Sequence, residues 1–334
     1  MRVPLSTAFM LMVCPTRILG LVATTDPALN LQRYLDQQGA TRSCETGETK
    51  CGRGLVATRD LEADEVALRI PISCALQEAD LGEEDYWAGR LAIQVMERRR
   101  RSCPYTDALP PPPGTPARGD WPVHILKAFE DPLFEKEIEA AQDWRYEQWE
   151  NKNGIYEDRS EFLDALDLVC SRTTRVGSDL LLVPFLDMAN HASREEGGGY
   201  YVRDGSDVCL VVGGRGVRQG GEVTLNYGSR RNEDWLIHYG FLPDRNTVDA
   251  MILPSTQQKV SWDDVGTASD SVRQECSDYL DTTKTSLAED LAALQDSELD
   301  YRMRLALEYR VARKVLLSAV AGDKVFSFGA VESE

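Results

Sequence analysis

The sequence predicts an α+β fold, with a β-rich core of short strands, a helical insertion that splits the core, and a small helical C-terminal domain. Two observations predict the strands. The apolar run at 180–186 and the alternating segment at 222–226 have the length and composition of short strands. The third observation is a long amphipathic pattern at 301–320 without Gly or Pro, which is typical of a helix.

Composition limits the class of protein. The chain has 334 residues, of which 42% are hydrophobic and 28% charged, so we expect a packed core in one or two domains. Its 37 basic and 55 acidic residues give a formal net charge of −18. Because nucleic-acid binding needs a basic surface, this charge argues against a nucleic-acid partner. No segment is long and apolar enough to predict a membrane span.

The cysteines do not predict a metal site. Eight cysteines are scattered singly, no C-x-x-C pair occurs, and the three histidines do not cluster with them. A structural zinc site needs four such ligands at close spacing, so no metal is predicted. Single cysteines are typical of small buried side chains in a reducing compartment.

Residues 1–25 differ from the rest of the chain. They contain no acidic residue, and they carry two short apolar stretches on either side of Arg17. This composition predicts a targeting segment that is removed near Thr24, with a buried N-terminal strand as the alternative.

The next elements are a helix and a turn. Apolar residues recur at helical spacing within 27–41, which predicts a short N-terminal helix. The sequence Cys51-Gly52-Arg53-Gly54 follows. Glycines on both sides of Arg53 allow a tight turn and a close backbone approach to a ligand, although an ordinary turn before a strand has the same pattern.

Helical patterns dominate 76–165 and continue to residue 176. The segment 121–155 is amphipathic, and 161–176 predicts a helix that ends at Ser171-Arg172. That helix would point Arg172 and Arg175 at the strand predicted for 180–186. The helix dipole also favours an arginine at a helix end. For Arg175, this structural explanation is as good as a role in the site.

Polar residues follow both predicted strands. The run 180–186 ends in Asp187 and then Asn190-His191, and the segment 222–226 ends in Tyr227-Gly228. Asn232 before two acidic residues predicts a capped helix start, and Gly240 predicts the end of that helix. Between the strands, 200–212 predicts a hairpin with its turn at 213–216.

These motifs carry a family resemblance. Asp187-Met188-Ala189-Asn190-His191, Asn226-Tyr227-Gly228, Asn232 and Tyr239-Gly240-Phe241 resemble the closing motifs of SET-domain protein methyltransferases. The subfamily that the chain most resembles is the Rubisco large subunit methyltransferase type. The resemblance also includes the segment 52–60 and the C-terminal helices, and it covers roughly residues 30–320.

The resemblance implies a domain organisation and a function. Residues 26–242 would form the SET domain, with a helical insertion at about 76–165, and 243–334 would form a reduced helical substrate-binding domain. The implied function is methylation of a protein lysine, outside histones, with S-adenosyl-L-methionine as the cofactor. A protein-histidine methyltransferase and a catalytically silent SET scaffold that binds peptides are the alternatives. The implied partner is a protein substrate that presents lysine or histidine.

The resemblance also assigns site residues. Tyr227 is the catalytic candidate, because its hydroxyl could orient the nucleophile and accept weak contacts from the transferring methyl group. The cofactor-binding candidates are Cys51, Gly52, Arg53, Asn190, His191 and Tyr227. The substrate-binding candidates are Arg172, Arg175, Asp187, Tyr201 and Tyr239. For the tyrosines, core packing is the alternative interpretation.

The targeting segment and the resemblance together predict a location. S-adenosylmethionine is an intracellular cofactor, so an organelle that contains it would satisfy both observations. A plastid is the first choice and the cytosol is the alternative.

Overall fold

The fold was analysed in a computed structural model, and the structure describes residues 26–79, 86–151 and 158–322. The targeting segment predicted for 1–25 lies outside the described residues, and so does the end of the helical pattern predicted up to residue 155. Both stay predictions.

The described residues contain ten α-helices, several of which end or begin with recognisable capping residues. In chain order they are α1 (Pro27–Gln37), α2 (Trp87–Arg100), α3 (Pro104–Ala108), α4 (Val123–Ala128), α5 (Pro132–Glu150), α6 (Arg159–Arg172), α7 (Asn232–Tyr239), α8 (Asp270–Thr282), α9 (Leu287–Ala293) and α10 (Tyr301–Ala321). The side chain of Asp26 accepts a hydrogen bond from the Ala28 amide and caps α1. Gly240, at φ 73°, ends α7 as predicted.

Twelve short strands in the described residues form four small antiparallel sheets. The strands are β1 (Thr41–Arg42), β2 (Cys44–Thr49), β3 (Gly52–Ala57), β4 (Val66–Pro71), β5 (Leu76–Ala79), β6 (Thr174–Val176), β7 (Asp179–Leu182), β8 (Tyr200–Asp204), β9 (Asp207–Val211), β10 (Glu222–Val223), β11 (Ala250–Ile252) and β12 (Lys259–Ser261). The sheet orders are β1-β4-β9-β8, β10-β3-β2, β5-β7-β6 and β11-β12. The α+β class and the helical C-terminal region agree with the sequence prediction.

Both motif strands are shorter than predicted. The run 180–186 is buried throughout, but β7 ends at Leu182 and a 3₁₀ turn follows at Leu186–Met188. Pro184 has no N–H to donate to a sheet, which explains the early end. The segment 222–226 has regular strand structure only at Glu222–Val223, and Leu225 makes isolated bridges instead.

Of three local predictions, one is confirmed: α6 ends at Arg172, as predicted, and residues 174–176 form β6, so Arg175 lies on a strand. The other two were wrong. The turn of the β8–β9 hairpin is at 205–206, because Asp204 pairs with Asp207, and not at 213–216. Asn232 is the first residue of α7 rather than its cap, because its side chain donates to the buried carboxylate of Asp249.

The segment predicted as a helical insertion contains α2 to α5 and the start of α6, but it begins with β5. This strand pairs with β7, so residues 76–79 form part of the sheet that carries the motif run. Helices α2 and α6 pack on this side through buried Leu91, Val95, Phe162 and Leu166.

The C-terminal helix α10 is joined to the rest of the protein by a second core and by buried ion pairs. Tyr309 packs between Phe129 and Phe134, with ring centroids 5.5 and 5.0 Å away. The Arg313 guanidinium lies 2.7 Å from the Asp131 carboxylate and 2.8 Å from that of Glu233. Because Glu233 belongs to α7, this network fixes α7 against α5 and α10.

The described ranges contain neither a candidate membrane span nor a candidate metal site. Within 26–79, 86–151 and 158–322, no helix is long and apolar enough to cross a membrane. In the same ranges, no group of three or more His, Cys, Asp or Glu side chains could hold a metal ion.

Candidate functional site

Backbone hydrogen bonds bring the two motif segments together. The Leu225 amide donates to the Asn190 carbonyl over 2.9 Å, and the Ala192 amide donates to the Leu225 carbonyl over 3.2 Å. The segments 183–191 and 222–228 therefore lie side by side, and an isolated parallel bridge pairs His191 with Leu225.

A cleft of about 550 Å³ opens beside this junction, between β6, β7, α6 and α7. Its lining includes the catalytic candidate Tyr227 and all five substrate-binding candidates. These five are Arg172, Arg175, Asp187, Tyr201 and Tyr239. The structure thus gathers, in one concave site, residues that are up to 67 positions apart in the sequence.

Tyr227 is held by two parts of the 189–191 segment. Its hydroxyl donates to the Ala189 carbonyl over 2.7 Å, and its backbone amide donates to His191 Nδ1 over 3.3 Å. Burial raises the pKa of the Tyr227 phenol, so the group stays protonated at neutral pH. The oxygen is therefore fixed as a neutral acceptor at the wall of the cleft.

Asp187 is a buried carboxylate with two partners. It accepts a hydrogen bond of 2.9 Å from the Tyr105 hydroxyl, and its other neighbour is Arg172, whose Nη1 lies 3.7 Å from Oδ2. Burial raises the pKa of Asp187, and the positive charge of Arg172 opposes that shift. Arg172 also donates to the Asp187 backbone carbonyl.

Asn190 forms the centre of a second polar cluster. Its Nδ2 lies 2.8 Å from Glu222 Oε1 and 3.3 Å from the Arg53 carbonyl, which joins the Gly52–Gly54 segment to the motif run. Gly54 makes this contact possible, because a Cβ there would lie 2.7 Å from Asn190 Nδ2 and 2.8 Å from Glu222 Oε1.

The other cofactor candidates surround this cluster and do not line the cleft. Cys51, Gly52 and Arg53 are exposed, and the Arg53 side chain donates to the Ala108 carbonyl over 3.0 Å. The His191 ring lies 4.5 Å from that of Trp235. Burial lowers the pKa of His191, so its imidazole is neutral at pH 7.

Tyr227 connects the two clusters. Its ring lines the cleft, its backbone contacts His191, and its hydroxyl contacts the residue before Asn190. The site therefore has two neighbouring surfaces that share Tyr227, namely the cleft and the cluster in which Asn190 contacts the Arg53 carbonyl.

Sequence reasoning missed several residues of the site. Arg230 lines the cleft, with its guanidinium 5.4 Å from the centre of the Tyr239 ring, and Glu222 binds Asn190. Tyr105 belongs to α3 and had no motif to mark it. His238, which belongs to no motif, also lines the cleft, and burial lowers its pKa. Of these residues, only Arg230 had a signal in the sequence, namely its position next to the Tyr227-Gly228 motif.

Comparison with known proteins first defines the class of fold. The structure of Rubisco LSMT bound to AdoMet aligns over 90% of this chain and 91% of that chain, with a TM-score of 0.68 and 16% identity. The SET domain of LSMT bound to methyllysine and AdoHcy aligns over the same shares, with a TM-score of 0.67 and 15% identity. The described residues therefore have the SET fold of LSMT.

Sequence comparison then identifies the type of the C-terminal region. Residues 244–317 match the family model described as Rubisco LSMT substrate-binding. The resemblance to SET-domain proteins of the Rubisco large subunit methyltransferase type is thus confirmed in the N-terminal fold and in the C-terminal region.

Curated relatives are named actin-histidine N-methyltransferase. The armadillo (Dasypus novemcinctus) protein is 27% identical over 239 residues, which are 59% of this chain and 39% of that protein. The dog (Canis lupus familiaris) protein is 39% identical over 70 residues, 21% of this chain and 12% of that protein. The chain thus spans two-fifths or less of the length of these relatives.

Proposed function

We propose that this protein is an S-adenosylmethionine-dependent methyltransferase that modifies a side-chain nitrogen of a protein substrate. The observation that carries the proposal is the position of Tyr227. A neutral, fixed phenol oxygen stands where an aromatic cleft meets the polar cluster around Asn190. The SET fold and the names of the similar proteins support the same reaction.

The residues present suit the cofactor. S-adenosylmethionine would supply an electrophilic methyl group and would bring a carboxylate with it. Arg172 Nε is a buried donor with no hydrogen-bond partner among the described residues, and such a donor suits a carboxylate. Asn190 and His191 present an amide and a neutral imidazole beside Tyr227. We assign the cofactor to their side of that residue, with its carboxylate directed at Arg172 in the cleft lining.

The cleft suits the nucleophile. Methyl transfer needs a neutral nitrogen aligned behind the methyl group, within about 3–3.5 Å. Tyr201, Tyr227 and Tyr239 provide aromatic walls that exclude water and favour the neutral form of a basic nitrogen. The Tyr227 oxygen, which donates a hydrogen bond to the Ala189 carbonyl, keeps lone pairs that can accept weak contacts from the methyl group.

Lysine and histidine are both candidate targets. The resemblance to the Rubisco large subunit methyltransferase type favours lysine, and no single residue of the chain separates the two targets. The curated relatives favour histidine, and so does the charge of the cleft, which has three arginines in its lining and one carboxylate. A lysine ammonium is repelled by arginine and must lose its proton, whereas an imidazole is already largely neutral at pH 7.

The proposal can be tested with purified protein in two steps. Calorimetry measures binding of S-adenosylmethionine. Radiolabelled cofactor is then incubated with peptide arrays that contain matched central Lys, His or Ala, and labelled residues are identified by mass spectrometry. Label on Lys or His peptides, and none on the Ala set, is the expected result. Peptide binding without cofactor binding would instead identify a silent scaffold.

A further inference from the structure

The cleft is locally positive on a strongly acidic chain. Arg172, Arg175 and Arg230 line it together with a single carboxylate, Asp187, while the whole sequence carries a net charge of −18. Asp187 is already engaged by Tyr105 and Arg172. His238 adds no charge at neutral pH, because burial and the nearby Arg230 lower its pKa. Among the described residues, the lining of this cleft therefore carries more positive than negative charge.

Arg230 is, like Arg172, an arginine of the cleft with a buried nitrogen that lacks a partner in the described part of the chain. Its Nε is buried and has no hydrogen-bond partner among the described residues. Its guanidinium lies 5.4 Å from the centre of the Tyr239 ring. The Arg230 side chain also hydrogen-bonds to the Tyr239 side chain, and these two contacts orient the guanidinium while Nε is left without a partner in the described ranges. A buried donor without a partner is costly, so the site is arranged for an acceptor that comes from outside.

From this geometry we infer that Arg230 is a specificity-determining residue that binds an Asp or Glu side chain of the substrate, close to the methylated residue. The inference rests on the proposed function, because it places the substrate segment in the cleft. A carboxylate matches the paired donors of a guanidinium and forms stronger hydrogen bonds than a neutral carbonyl does. Arg172 is separate, since it already contacts Asp187 and is assigned to the cofactor.

The test uses synthetic peptides with a central His or Lys. In each pair, one position within three residues of the centre carries Glu in one peptide and Gln in the other. Binding to the full chain is measured by fluorescence anisotropy with S-adenosylhomocysteine present. The Glu peptide is expected to bind about tenfold more tightly at its best position, and the difference should shrink as salt is added.

Variants assign the effect to Arg230. Arg230→Met should remove the Glu preference, Arg230→Lys should retain part of it, and Arg230→Glu should favour a peptide with Lys at the same position. Arg218→Met is the matched control, because the Arg218 side chain is 89% exposed and pairs with Asp60. Each variant must keep the wild-type melting temperature to be counted.

Two results would overturn the inference. One is equal affinity, or no affinity, for the Glu and Gln peptides with the wild-type protein, which needs no variant to be folded. The other is an unchanged Glu preference in folded Arg230→Met. Failure of the proposed function is a different result, namely no binding of S-adenosylmethionine and no methyl transfer to any peptide.

Discussion

The hydroxyl of Tyr227 donates a hydrogen bond of 2.7 Å to the backbone carbonyl of Ala189. This contact fixes a tyrosine from one motif segment against the residue that precedes Asn190 in the other. It also places the phenol oxygen at the boundary between the cleft and the Asn190 cluster. The contact defines the point where the proposed substrate and cofactor surfaces meet.

Tyr227→Phe should leave S-adenosylmethionine affinity nearly unchanged and lower turnover by at least about a hundredfold. The reason is that the contacts of the hydroxyl with the nucleophile and the methyl group are strongest in the transition state. Calorimetry and single-turnover kinetics measure the two quantities. Tyr200→Phe is the control, since Tyr200 is 45% exposed and lies outside the cleft lining. Near-normal turnover of Tyr227→Phe would move the key role elsewhere, with Tyr239 next in line.

Asn190→Ala should weaken S-adenosylmethionine binding by about 1–3 kcal/mol, the cost of losing a buried hydrogen-bond partner. The change removes the amide that joins Glu222 and the Arg53 carbonyl. Isothermal calorimetry measures the affinity. The exposed Gln219→Ala serves as control and should bind normally. Unchanged affinity in Asn190→Ala would contradict the assignment of the cofactor to this cluster.

Gly54→Ala should also reduce cofactor affinity. Its methyl group would lie less than 3 Å from the side chains of Asn190 and Glu222 and would force them to move. Gly214→Ala is a matched control, since nothing lies within 4 Å of a Cβ at that glycine. Affinities of the two variants are compared by calorimetry after their melting temperatures are checked. Equal affinities would show that the cluster tolerates the extra methyl group, and that Gly54 has no role in cofactor binding.

Glu233 should make the protein less stable as the pH rises. Burial raises its pKa from 4.5 to about 7. Between these values the folded state binds more protons than the unfolded state, so the free energy of unfolding falls with rising pH. Glu233→Gln should lose less stability than wild type between pH 5 and pH 7.5 in urea titrations.

The exposed Glu62→Gln is the control for this comparison and should keep the wild-type pH dependence. If Glu233→Gln and wild type lose the same stability over this range, Glu233 is already ionised in the folded protein. The Arg313 ion pair would then outweigh the cost of burying the carboxylate.

The sequence alone predicted the local elements and the candidate residues at the centre of the site. Helical spacing predicted α1 and α10, the apolar run predicted a buried segment at 180–186, and the motif order predicted the SET fold. These features depend on neighbouring residues in the chain, such as the period of apolar side chains and the conformational freedom of glycine. They can therefore be derived without a structure.

Only the tertiary structure decided which side chains meet. No local sequence pattern marks Arg230 or Tyr105. Tyr105 contacts Asp187, which is far away in the sequence. Arg230 contacts Tyr239 because of the way the chain folds around α7. The separation of the Asn190 cluster from the cleft also depends on how β3, β10 and the motif run pack. Burial and long-range contact, which set hydrogen bonds and pKa shifts, exist only once the chain has folded.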